Sequence, residues 1–189
     1  EVNIVIATHP DADHTSGLSV VLENMKVGML LMHKPWEHAE DIGRLFKSGS
    51  ITNSGLEKRI EESLQNACDL ETIVKRKNIP IHEPFQGMKN NVIHILGPSL
   101  GYYESMIPYF RGTPEPKRSL GILESPRTVV KEAVNWIEDH FSIDLLNDNE
   151  DTASPENNTS TIILLNIDGH KLLFTGDAGK TALLYAIEY

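Results

Sequence analysis

His9-Pro10-Asp11-Ala12-Asp13-His14 packs two imidazoles and two carboxylates into six residues, directly after the apolar run Val2 to Ala7. Four polar side chains crowded on one loop repel one another or waste hydration unless a cation organises them. Imidazole nitrogen and carboxylate oxygen are ligands that zinc, manganese and iron accept. Alternating spacing sends His9, Asp11 and Asp13 to one side, while His14 reaches towards a second ion. The competing reading is a polar turn before a helix, with Thr15 or Ser16 as its cap. A short apolar run that stops at a ligand-rich loop suits a buried strand.

Working outward, Gly17 to Asn24 reads as a helix and Val27 to Met32 as a second strand. Pro35 to Lys47 predicts a helix whose face is Trp36, Ala39, Ile42, Leu45 and Phe46. A turn around Ser48 to Ser54 precedes a long helix from Leu56 to Lys77. Ile79 to Ile81 and Val92 to Leu96 are short strands, and Ser125-Pro126 opens another helix carrying Val130, Val134, Ile137 and Phe141. Asn147 to Asn158 is a polar, acidic loop. Thr161 to Asn166 and Lys171 to Thr175 flank Asp168-Gly169, a strong hairpin signal. Strands and helices alternate, so the fold class is α/β with mixed sheets covered by helices.

The chain has 189 residues, enough for one domain with a real core. No stretch is apolar for long enough to cross a bilayer, and no amino-terminal segment reads as a signal peptide. Glu1 is not an initiator methionine and Tyr189 closes a helical pattern, so the chain is expected to be part of something longer. The single cysteine, Cys68, excludes an intrachain disulfide and fits a reducing, cytoplasmic setting. Net charge is −10, and from Glu138 to Glu156 every Asp, Glu, Lys or Arg is acidic. A broad electrostatic face for nucleic acid is therefore not expected. A phosphate substrate stays open where a dication meets it locally.

Leu173-Phe174-Thr175-Gly176-Asp177-Ala178-Gly179 sets one carboxylate at the end of an apolar strand, between small residues. Gly176 and Gly179 allow a close backbone approach. A carboxylate bridging two ions at a sheet edge needs such a place; the plainer alternative is Asp177 as a helix N-cap. Gly179-Lys180-Thr181 suggests a phosphate-binding loop, but the spacing fails, because Phe174 stands where that motif needs a small residue.

Together, the His9–His14 motif followed by Gly17-Leu18, and Asn158-x-Ser160 with Leu-Phe-Thr-Gly-Asp-Ala, resemble the metallo-β-lactamase fold hydrolases. Asn157-Asn158-x-Ser160 before the hairpin, with Gly97-Pro98-Ser99 and Tyr102-Tyr103, resembles the ComEC/Rec2-like competence-protein branch. The resemblance implies an αββα sandwich. It makes residues 1–189 a single partial metallo-hydrolase domain, lacking the family's opening strands and carboxyl-terminal part. Residues 35–91 and 100–156 would be helical, loop-rich, insert-like regions. It further implies two divalent ions, zinc or manganese: His9 on one, Asp13 and His14 on the other, Asp177 bridging. Asp11 stands at the family's usual second histidine, where oxygen in place of nitrogen favours harder ions. Asn158 and Ser160 occupy the neighbourhood of the family's middle histidine and are expected close to metal or substrate.

The expected function is hydrolysis by metal-activated water, with Asp13 or Asp11 orienting the water or moving its proton. The nearest branch implies a phosphodiester substrate, a nucleic acid or a nucleotide. The alternatives are a carbonyl substrate (lactone, thioester, β-lactam or another acyl ester) and a metal-poor scaffold or sensor that binds a partner. His94 and His170 are read as packing and surface residues. Of His33, His38, His82 and His140, only His33, at a strand end, invites a check of its distance to the metals.

Overall fold

The computed structural model describes residues 1–46, 51–117 and 152–189. Val2–Ala7 (β1), Val27–Met32 (β2) and Ile81–His82 (β3) form a parallel sheet in the order β1-β2-β3. Ala7 lies opposite Met32, and Leu31 opposite His82. Near-continuous apolar runs suit strands covered on both faces, and Val5, Ala7, Leu30, Leu31 and Met32 are buried. Because the strands are parallel, the residues after them leave from one edge. That edge receives His9 from β1, His33 from β2 and Glu83 from β3.

Between β1 and β2 run a single turn, Ala12–Thr15 (α1), and Leu18–Asn24 (α2). The helix expected over 35–47 is broken into a 3-10 turn at Pro35–His38, a short α3 at Ala39–Ile42 and another 3-10 turn at Gly43–Leu45. Its apolar face survives, since Trp36, Ala39, Ile42 and Phe46 are all buried. The long helix expected over 56–77 is two, Asn53–Ser63 (α4) and Gln65–Lys77 (α5), separated by Leu64 at φ −120°. The break has a physical reason. Leu56 and Ile60 face the Pro35–Ile42 segment while Ala67, Leu70 and Val74 turn to α2, and one straight rod cannot serve both. Thr52 caps α4 by accepting from the Gly55 N–H.

Ile93–Gly97 (β4), Ile162–Ile167 (β5) and His170–Phe174 (β6) make an antiparallel sheet in the order β4-β5-β6. Asp168 and Gly169 both have positive φ, 51° and 80°, which the tight turn between right-twisted strands requires. Leu100–Met106 (α6) follows β4, with Ser99 as its N-cap, and Lys180–Ile187 (α7) lies against β4. Parallel and antiparallel pairing are thus each confined to their own sheet. One apolar core runs from Val5 through Leu30, Leu70 and Tyr103 to Ile162 and Ala186. Each wholly buried Leu or Ile in it contributes about 1.5–3 kcal/mol. The helix expected at Ser125-Pro126, His140 and residues 147–151 of the acidic loop lie outside the described residues. No helix among the described residues is long and apolar enough to cross a membrane.

Candidate metal centre

The two sheets meet where their ligand-bearing loops meet. The Thr161 N–H donates to the Thr8 carbonyl at 2.8 Å, and the Thr161 hydroxyl donates to the same oxygen at 3.2 Å. This strap sets the start of β5 against the end of β1. Gly176, at φ +54°, fits between them: a Cβ there would lie 3.0 Å from the Thr8 Cβ and 3.1 Å from the Ser160 Cβ. A larger residue would push the two loops apart.

The strap brings His9, His14 and Asp177 into one group, with one donor atom from each within 4.8 Å of the others. Asp177 Oδ2 lies 3.3 Å from His14 Nε2 and 4.0 Å from His9 Nε2. The two rings sit 4.2 Å apart between centroids. The His9 side chain is 0% exposed, and its Nε2 has no hydrogen-bond partner in the protein. Its Nδ1 lies 3.2 Å from both the Thr8 and Ser160 hydroxyls. With Nδ1 as the donor to these oxygens, Nε2 keeps a lone pair aimed at the two carboxylates nearby. Burial, then repulsion from His14, lowers the His9 pKa despite Asp11, Asp177 and Asp13, so the ring stays neutral. An orphaned, neutral, buried imidazole nitrogen beside a second imidazole and a carboxylate is a donor set that a divalent ion fits.

The remaining expected residues are placed as follows. Asp11 Oδ2 is 4.0 Å from His9 Nε2, but its other oxygen is paired with Arg111. It stands at the N-cap of α1 without capping it through its side chain. Asp13 lies in the first turn of α1 rather than alternating with Asp11. Its side chain is 78% exposed, and its Oδ2 is 3.7 Å from His14 Nε2. Ser160 is buried and joins both halves, since its Oγ also accepts from the Asp177 N–H at 3.2 Å. Asn158 is buried, its amide donating to the Ala153 carbonyl and its Oδ1 unpartnered. Asn158 and Ser160 line a cleft between β4 and α7 together with Pro98, Tyr102 and Tyr185. Asp177 does not cap α7; that position belongs to Gly179.

Arg111 was not legible in the sequence. It follows α6, and nothing in its local motif relates it to His9. Its backbone N–H and Nε both donate to Glu156 Oε1, at 2.7 and 3.2 Å, and Glu156 is itself buried. That anchor leaves the guanidinium beside Asp11, at the mouth of the centre. The surrounding carboxylates raise its pKa against the opposing effect of burial.

Elsewhere, His170 is exposed on the hairpin, and His94 stacks edge-on against Tyr189, 5.8 Å between centroids. His33 is not part of the His9, His14 and Asp177 group but is buried between Tyr103 and Phe85. No curated protein and no solved structure matches the chain. The family model of the metallo-beta-lactamase superfamily, broadly a group of hydrolytic metalloenzymes, matches residues 1–189. A match of that extent, on a chain whose sheets converge at a His/His/Asp cluster, shows that it belongs to the metallo-beta-lactamase superfamily.

Proposed function

We propose that this chain is a metal-dependent phosphodiesterase of the ComEC/Rec2-like branch, acting in the cytoplasm on a nucleic acid or nucleotide. The observation that carries the substrate class is Arg111, a guanidinium tethered by Glu156 at the mouth of the metal centre. A planar, permanently charged fork suits a phosphate oxygen better than a neutral carbonyl. His9 and Asp177 would hold one ion, and Asp13, His14 and Asp177 a second, both of zinc or manganese type. When bound, such an ion supplies Lewis acidity: it activates water as the nucleophile and polarises the electrophile.

The chain's own residues do the rest. Ser160 and Thr8 fix the His9 ring, and Ser160 also fixes the backbone at Asp177. Asp11 or Asp13 orients the attacking water and accepts its proton. Asp11 first has to exchange its contact with Arg111, and an arriving phosphate supplies that exchange by taking the guanidinium. Asn158 lines the adjoining cleft, where its free carbonyl oxygen can accept from a hydroxyl or amino group of the substrate.

The test is hydrolysis of bis-(p-nitrophenyl) phosphate and of p-nitrophenyl acyl esters by metal-loaded protein. Phosphodiester turnover alone, lost together with metal in Asp177→Ala, is the expected result. Turnover of acyl esters alone moves the reading to a carbonyl substrate. Less than one ion per chain at the His9 centre, with no turnover of either, moves it to a scaffold; the Asp11–Arg111 pairing favours that second reading.

A further inference from the structure

We propose that His38 is a proton-operated brace: as an imidazolium it ties the Pro35–Ile42 segment to the end of β3 and to α6, and without its proton it lets that joint loosen. His38 closes the 3-10 turn that begins at Pro35, Glu83 directly follows β3, and Glu104 lies within α6. His38 Nδ1 lies 3.2 Å from Glu104 Oε1, and its Nε2 lies 3.1 and 3.3 Å from the two oxygens of Glu83. A carboxylate only accepts, and a neutral imidazole carries a single N–H. Only the doubly protonated ring donates on both sides. A neutral His38 would turn a lone pair towards one of the two carboxylates. With its side chain 9% exposed, water does little to soften that repulsion.

The groups around the ring favour its charge. Asp41 of α3 adds a third carboxylate: one donor atom each from His38, Asp41 and Glu104 lies within 4.8 Å of the others. The Lys34 N–H donates to Glu83 Oε1 at 2.8 Å, while the Lys34 ammonium turns to Glu37 and Glu71. Tyr103 meets the ring edge-on and stays neutral, and α4 meets the segment through apolar Leu56 and Ile60. His33, beside Glu83, stays neutral as well, because burial lowers its pKa to about 3 against the pull of Glu83. Burial opposes charge on His38 too, but the bonds and attraction of Glu83, then of Glu104, outweigh it and raise its pKa above the ordinary 6.5. Burial likewise opposes charge on Glu83, and its bonds from His38 and the Lys34 N–H outweigh it, holding its pKa below the ordinary 4.5. The brace therefore contributes in full between about 4.5 and 6.5 and is lost as pH rises through the raised value at His38. The effect reaches the centre's surroundings, since α6 carries Tyr102 into the adjoining cleft and leads on to Arg111.

The experiment uses the full chain, stripped with a chelator, so the outcome does not depend on the hydrolase reading. Tm is measured for the parent and for His38→Gln across the neutral and mildly alkaline range. The parent is expected to exceed the variant by roughly 2–4 °C near pH 6, and the gap should close by about pH 9. Amide exchange in α6, referred to that in β1, should quicken over the same range in the parent and not in the variant. A gap that does not change with pH, or exchange in α6 that keeps step with β1, overturns the brace. Should His38→Gln not fold, the His38 ring is titrated by NMR in the unaltered chain and in Glu104→Gln. A midpoint above the ordinary 6.5 that falls in Glu104→Gln supports the brace. A midpoint at or below that value, or one that Glu104→Gln leaves in place, overturns it.

Discussion

His9 of the loop centre and His33 and Glu83 of the neighbouring pocket all follow strands of the same parallel sheet, yet the two clusters differ in access. In the loop centre only His9 is sealed; Asp177 is 41% and His14 32% exposed. In the pocket, aromatic rings enclose His33, and the Glu83 side chain is 18% exposed. A substrate can reach the first and not the second. Similar side-chain chemistry thus separates into an open cluster and a covered one, according to what lies over it.

Substitutions at the junction of the sheets should break that contrast most sharply. Gly176→Ala puts a side chain at positive φ and against Thr8 and Ser160. The strain alone costs of order 1–3 kcal/mol. Loss of metal from the loop centre should accompany a lower Tm, while the buried His33 pocket stays intact; metal kept in full would show that Gly176 does not hold the two loops together. Ser160→Ala removes the hydroxyl shared by His9 and the Asp177 N–H. Metal affinity at the loop centre should fall roughly 10- to 100-fold by isothermal titration, with little change in Tm. Arg111→Ala is expected to raise KM for the phosphodiester about tenfold, the worth of one charged hydrogen bond, and to leave metal content alone. A fall in metal content instead would assign Arg111 to holding the loop through Asp11.

The smallest effect concerns a thiol that belongs to neither cluster. Burial, then Glu61, Glu71 and Asp69, pushes the Cys68 pKa up to about 12. At pH 8 the native protein should therefore alkylate slowly with iodoacetamide, and quickly once unfolded in denaturant.

The parts of this fold that were legible are those whose local sequence carries its own geometry. Val2 to Ala7 and Val27 to Met32 are apolar runs of strand length, and Asp168-Gly169 accepts the left-handed turn its hairpin needs. The breaks at Leu64 and around Ala39 were not legible. They depend on which distant surfaces Ile60, Leu70 and Trp36 pack against, and a helical repeat says nothing of that. The same division holds at the metal centre. His9, His14 and Asp177 lie in two dense motifs, whereas Arg111 is placed by Glu156 and Asp11, each far from it in the chain. His33, His38, Glu83 and Glu104 are scattered and show no spacing at all; parallel pairing of β2 with β3 brings Glu83 beside His33, and α6 brings Glu104 to His38.

The Thr8–Thr161 strap closes a loop of some 150 residues, so its two ends have much chain entropy to overcome before they touch. An ion clasped by both ends stabilises the joined state in proportion to the logarithm of its free concentration over Kd. Scarcity of metal in the cell would thus loosen the joint between the sheets as well as silence chemistry, coupling the protein's lifetime to its metal supply.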